Sequence, residues 1–207
     1  MKIKAQKKLI KFIKDNKLIE YKDGCIYTGM TKKVGKKLVP NGLGSATWPD
    51  QHTYKGQYKN GKFDGYGHYV VPGSYELIGT WKNNYLIKGE YKSENGNHYV
   101  GEFKKSECHG KGTMIYFNDH KYVGEWKDNI KHGKGKMTIL IDDESRNWEK
   151  GAVFNGTWSK GREHGNFELI YPDGEIMDKV FVNGINTKSK FRDQTEWTIH
   201  NLNIPSG

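Results

Sequence analysis

The sequence predicts an all-β chain, a single-layer antiparallel sheet of tandem hairpins, elongated and twisted, preceded by a short basic amphipathic helix. Three observations predict it. Apolar residues are sparse at 34% while aromatics reach 13%, with 13 Tyr and 6 Trp. Glycine, at 26 of 207 residues, is over-represented without the every-third spacing of collagen, and disorder would leave few aromatics. Finally, one pattern, "YVGEWKDNIKHGKG" at residues 122–135, recurs along the chain.

The first element is "MKIKAQKKLIKFIKD". On a helical projection Lys4, Lys7, Lys8, Lys11 and Lys14 share one face, while Ile3, Leu9, Ile10, Phe12 and Ile13 take the other half. Such a helix over residues 1–17 can cap a sheet edge, dock into a partner, or lie on acidic phospholipid. The absence of Arg and Ser from it speaks against a mitochondrial presequence, although mitochondrial import stays open. The basicity of the chain is concentrated here. Residues 1–40 hold 12 Lys against Asp15, Glu20 and Asp23, whereas the remainder holds 22 Lys and Arg against 21 Asp and Glu. A nearly neutral body lacks the cationic face that a nucleic-acid partner requires.

The array follows, over residues 18–185. "YKGQYKNGKFDGYG" starts at Tyr54, "YVGEFKKSECHGKG" at Tyr99 and "FNGTWSKGREHGNF" at Phe154. Weaker copies start at Leu77, at Tyr27 with about four extra residues, and at Met177. The starts are separated by 27, 23, 22, 23, 32 and 23 residues, so about six hairpins are expected, the longest insertion being the polar 141–147 stretch. Before each start stands a turn signal such as Asp23-Gly24, Asn118-Asp119 or Asp173-Gly174. A second follows the aromatic, at Asn60-Gly61, Asn83-Asn84, Asp128-Asn129 and Lys160-Gly161.

Within a copy, period-two alternation puts Tyr122, Gly124 and Trp126 on one face and Val123, Glu125 and Lys127 on the other. A bare glycine between rings is explained if a ring from a neighbouring strand lies over it. On that account Gly133→Val obstructs the rings and destabilises the array.

The pattern resembles the MORN repeat, the membrane occupation and recognition nexus family. It is carried by Tyr54, Gly56, Gly65 and Gly67; by Tyr99, Gly101, His109, Gly110 and Gly112; by Tyr122, Gly124, His132, Gly133 and Gly135; and by Phe154, Gly156, His164 and Gly165. The resemblance implies a run of antiparallel hairpins acting as a scaffold or interaction module, with protein partners, dimerisation or phospholipid binding, and no catalytic activity or cofactor of its own. A homodimer is compatible with it.

Two site readings remain. Tyr58, Trp81, Phe103, Trp126 and Trp158 recur once per hairpin, and are either core or an exposed ladder for a partner's peptide or helix. His109, His132 and His164 occupy one repeat position and therefore stand about 10 Å apart, too far to share a metal. No paired carboxylates, triad or phosphate loop forms a recognised motif, so neither an enzyme nor a metal or cofactor is expected. Cys25 and Cys108 form no disulfide framework, which points to a reduced, cytoplasmic location at a cytoskeletal or membrane surface. Residues 186–207 break the period, and Phe191, Trp197 and Ile199 are expected to close the last hairpin as a cap.

Overall fold

The computed structural model describes residues 16–200. They divide into two compact units, one running to Glu94 with Lys104–Ser106, the other comprising Asn95–Phe103 and the chain from Glu107 onward. The expected N-terminal helix and its five lysines lie outside the described residues.

The first unit contains β1 (Asn16–Glu20), β2 (Ile26–Val34), β3 (Lys37–Thr47), β4 (Thr53–Lys59), β5 (Lys62–Val71), β6 (Tyr75–Lys82) and β7 (Tyr85–Ser93). The second contains β8 (His98–Lys104), β9 (Glu107–Ile115), β10 (His120–Lys127), β11 (Ile130–Ile139), β12 (Val153–Ser159), β13 (Arg162–Ile170), β14 (Ile176–Val182), β15 (Ile185–Phe191) and β16 (Thr198–Ile199). Within each unit the strands lie in chain order, each hydrogen-bonded to the next, and the registers are antiparallel. The all-β hairpin array is therefore present. Its pairing runs past residue 185, because β14 and β15 form a full hairpin from Met177↔Phe191 to Val182↔Ile185.

The turns follow from their residues. Asn60-Gly61, Asn83-Asn84, Asp128-Asn129 and Lys160-Gly161 all take positive φ at both positions, as do Lys105-Ser106 and Asn183-Gly184. Two left-handed residues make the tight turn whose twist matches that of its flanking strands. The second residue of most of these turns also donates its N–H to the preceding hairpin: Gly61 to Pro40 O, Asn129 to Cys108 O, Gly161 to Lys131 O and Gly184 to Glu163 O. An asparagine there does more, since Asn84 Oδ1 accepts from Phe63 N and Asn129 Oδ1 from Cys108 N, both at 2.8 Å. Within each unit these hairpins are thus tied to their predecessors by backbone groups that would otherwise be left open.

The four extra residues of the Tyr27 copy lengthen its hairpin rather than forming a loop, with Thr31↔Pro40 through Val34↔Lys37 added to the ladder. At the far end, Ile199 and Thr198 pair with Lys188 and Ser189. The cap differs from expectation: Phe191 packs near Tyr171, but Trp197 and Ile199 stay exposed.

Candidate interaction faces

Alternation gives every strand a ring side and an outer side, and glycine sets the thickness between them. In the first unit Gly29, Gly44, Gly56, Gly67, Gly79 and Gly89 stand opposite one another across successive strands. In the second, Gly112, Gly124, Gly135 and Gly156 do the same. A Cβ on Gly135 would fall 2.5 Å from Tyr122 Cζ, and one on Gly124 2.5 Å from its Oη. Tyr99 covers Gly101 and Gly112 likewise, and Tyr54 covers Gly56 and Gly67. The covering ring therefore comes from the same strand, two residues before the first glycine, and reaches over to the partner strand. This corrects the expectation of a neighbour's ring. In the Phe154 copy the covering ring is Phe167, which stands where the other copies have the last glycine, and its ring atoms lie against Gly156.

Beyond each glycine pair the ladder slips. Gly124↔Gly135 is followed by Glu125↔His132, which leaves Gly133 and Lys134 of β11 without partners on β10. Gly133 sits at φ +56°, where a side chain is strained, and its absent Cβ would meet the Glu125 carboxylate, not a ring. Gly133 thus serves the bulge, and Gly135 serves the ring. The bulge is closed by two side chains. Tyr122 Oη lies 3.1 Å from Glu125 O and 3.3 Å from His132 O, so its single proton can serve either carbonyl. Glu125 Oε1 accepts from Lys134 N at 3.2 Å. Tyr99 with Glu102 and Tyr54 with Gln57 repeat this arrangement. Burial pushes these phenols up, so they remain donors.

The five recurrent rings fall on the core side of the two readings. Tyr58, Trp81, Phe103, Trp126 and Trp158 are all buried, Trp158 to 1% exposure. They stand edge-on to the repeat tyrosines, Trp126 at 5.2 Å from Tyr122 and Trp158 at 5.0 Å. Trp81 and Trp126 donate their indole N–H to Gly67 O and Gly112 O, whereas Trp158 Nε1 and Tyr58 Oη have no partner. An exposed aromatic ladder is therefore not what these residues form.

Two of the repeat histidines bridge hairpins. His109 Nδ1 accepts from Asp128 N and His164 Nδ1 from Asn183 N, both long contacts of 3.4 Å to the next tight turn. Asp64, which replaces histidine in its copy, instead meets Lys82 Nζ at 3.2 Å. Among the described residues, no cluster of three or more His, Cys, Asp or Glu could hold a metal.

The outer side carries what the sequence reading did not single out. The residue between the two bulge glycines is pushed outward in each copy: Leu43 (55% exposed) and Tyr66 (63%) in the first unit, Lys111 and Lys134 in the second. Asn166 holds this place in the Phe154 copy and is also exposed. Lys111 and Lys134 flank a shallow trough lined by Gly112, Thr113, Val123, Gly124 and Glu125, with Glu125 in register with Lys111. The signal lay in the variable residue of Gly-x-Gly, framed by constant neighbours.

The 141–147 insertion is an ordered strap. Asp143 caps a single 3-10 turn, Glu144–Arg146. Arg146 bonds to Asp143 and to Asp119, and its guanidinium lies 3.9 Å over the Trp148 ring. Trp148 is edge-on to His120, which lies tilted against Tyr116 at 4.3 Å. His120 is buried, and its Nδ1 is 3.1 Å from Asp119 Oδ2, a charge contact, not an aligned hydrogen bond. Burial, then the nearby Lys131 charge, holds its pKa below the ordinary 6.5, with Asp119 opposing. The fold therefore favours neutral His120. Its contribution is complete above the unfolded value and is lost as pH falls through 6.5 towards the lower folded value. The urea midpoint is expected to drop over that interval, and His120→Phe is expected to flatten the drop.

Comparison with known proteins agrees with this repeat geometry. Alsin of Rattus norvegicus and alsin of Homo sapiens are each 33% identical over 81 residues, covering 36% of this chain and 5% of theirs. The chain thus spans a small part of these relatives. The MORN repeat family model matches residues 54–72, 99–121, 122–139 and 154–176. Each matched segment begins on the ring that opens a copy, Tyr54, Tyr99, Tyr122 or Phe154, and the chain carries four MORN repeats there.

Proposed function

We propose that the chain is a non-catalytic binding subunit whose protein partner lies across the outer side of the hairpins. MORN repeats generally take part in protein or membrane interactions. The observation that carries the reading is the exposed bulge residue. The five recurrent rings of the ring side are buried by the chain itself, so their contacts are spent on folding. The outer side presents protruding side chains on neighbouring hairpins about 10 Å apart, apolar Leu43 and Tyr66 in the first unit, and Lys111, Lys134 and then neutral Asn166 in the second. Lys111 and Lys134 stand on either side of Glu125 with exposed Val123 beside them, and the two ammonium groups against one carboxylate suit a partner segment that joins an acidic residue to an apolar one.

A photo-cross-linking residue placed at Val123 in the intact chain tests this in cells that make it. A protein adduct is expected, and Lys111→Glu with Lys134→Glu should reduce it by about tenfold. Deleting residues 1–17 should leave the adduct in place. Capture that survives the double charge reversal, or that depends only on residues 1–17, would reject the outer-side reading. In the latter case, salt-sensitive cosedimentation with acidic phospholipid vesicles identifies a membrane partner for Lys4, Lys7, Lys8, Lys11 and Lys14.

A further inference from the structure

We propose that the first unit holds an aromatic recess for an alkylammonium group, the lysine side chain of a partner protein. The site is on the ring side and does not rest on the outer-side reading above.

The recess has a volume of about 200 Å³ and is lined by Tyr21, Asp23, Cys25, Trp48, Tyr58 and Phe63, among others. Its walls are rings set nearly at right angles. Tyr58 and Phe63 stand edge-on at 5.5 Å, and Trp48 and Phe63 at 6.2 Å. Tyr21, 41% exposed, and exposed Asp23 belong to the turn after β1 and leave the recess open to solvent.

The repeat itself explains why a space opens here. Tyr58 occupies the position held by Trp81 and Trp126. Those tryptophans reach across and donate to Gly67 O and Gly112 O. The smaller tyrosine makes no such bond, and its hydroxyl is buried with no hydrogen-bond partner. That hydroxyl has no surface open to solvent, so Tyr58 enters the recess as part of its aromatic wall and not as a hydrogen-bonding contact. The rings supply negative faces for a cation, and Asp23 supplies a carboxylate. Asp23 Oδ1 accepts the Cys25 N–H at 3.1 Å, as turn aspartates do, yet no ion pair to Asp23 is found among the described residues. Burial, then the acidic groups Tyr54, Tyr27, Cys25 and Tyr21, keep the Tyr58 phenol protonated. An ammonium head with its alkyl stem among the rings satisfies both features at once: the stem buries apolar surface, and the head meets the ring faces and the carboxylate.

The test titrates the intact chain with Nα-acetyl-lysine methylamide and follows the indole N–H resonance of Trp48, assigned through Trp48→Phe. Its neutral counterpart, acetylated also at Nε, is the control. A saturable shift is expected with the charged probe, at an affinity at least about tenfold above that of the neutral one. Asp23→Asn keeps the turn acceptor and should weaken the charged probe by about tenfold without touching the neutral one. Tyr58→Phe keeps the wall and removes the orphan hydroxyl; it should fold at least as stably and bind the charged probe as tightly, whereas Tyr58→Ala should weaken that binding. Equal response to both probes, no saturable shift of Trp48, or an unaltered affinity in Asp23→Asn would overturn the assignment.

Discussion

Gly135→Val is expected to lower the unfolding free energy of the second unit by about 3 kcal/mol, read as a fall in the urea midpoint. The Tyr122 ring lies flat across Gly124 and Gly135, and a Cβ at Gly135 would sit 2.5 Å from its Cε2 and Cζ. The ring has no free path away. Trp126 stands edge-on at 5.2 Å on one side and Trp158 at 5.0 Å on the other. Gly133→Val probes a different term. There the neighbour is the flexible Glu125 carboxylate, and the cost comes from forcing a branched residue to φ +56°. That substitution should cost about 1–2 kcal/mol. The order of the two variants is the check. If Gly133→Val proves the more damaging, the bulge and not the ring contact dominates the repeat.

Much of this architecture is legible in the residues. The alternation Tyr-x-Gly-x-Trp separates buried Tyr122 and Trp126 from exposed Val123, Glu125 and Lys127, and Asn-Gly and Asp-Asn pairs turn where expected. The bulge is not legible, and for a definite reason. It inserts two residues, so the period-two pattern stays in phase on either side of it. A one-residue insertion shifts the phase, as in the Leu77 copy between Trp81↔Leu86 and Thr80↔Lys88 and in the Met177 copy between Phe181↔Asn186 and Val180↔Lys188, and neither of these copies has the Gly-x-Gly.

The covering ring is hidden for a related reason. Tyr122 and Gly124 share a face on any strand, but alternation does not say that the ring lies along the strand instead of standing away from it. Only the hydroxyl contacts to Glu125 O and His132 O reveal it. The outward bulge residues are not singled out by the sequence because the recurrent aromatic rings look like the informative positions. Their constancy from copy to copy reflects packing, and the variable residue of Gly-x-Gly is the one left outside.

Tyr122 carries the largest single side-chain effect. Tyr122→Ala is expected to cost about 4 kcal/mol, because a fully buried ring is lost between two tryptophans and over two glycines that cannot fill its space. Tyr122→Phe separates the hydroxyl from the ring. The ring contacts remain, but the carbonyls of Glu125 and His132 lose the proton they share, at a cost of about 1 kcal/mol. The Phe154 copy gives an internal reference for this split. It has no hydroxyl at that position, it carries Thr157 where Glu125 stands, and Phe167 replaces the second glycine. The three changes belong together: without the phenol there is no bridge to the bulge carbonyls, and Phe167 supplies the ring that covers Gly156. Phe154→Tyr should therefore bring little stability, well below the loss in Tyr122→Phe, because Phe167 already covers Gly156. Urea unfolding of the three variants decides it. A loss in Tyr122→Phe as large as in Tyr122→Ala would mean that the hydroxyl, and not the ring over the glycines, holds the repeat together.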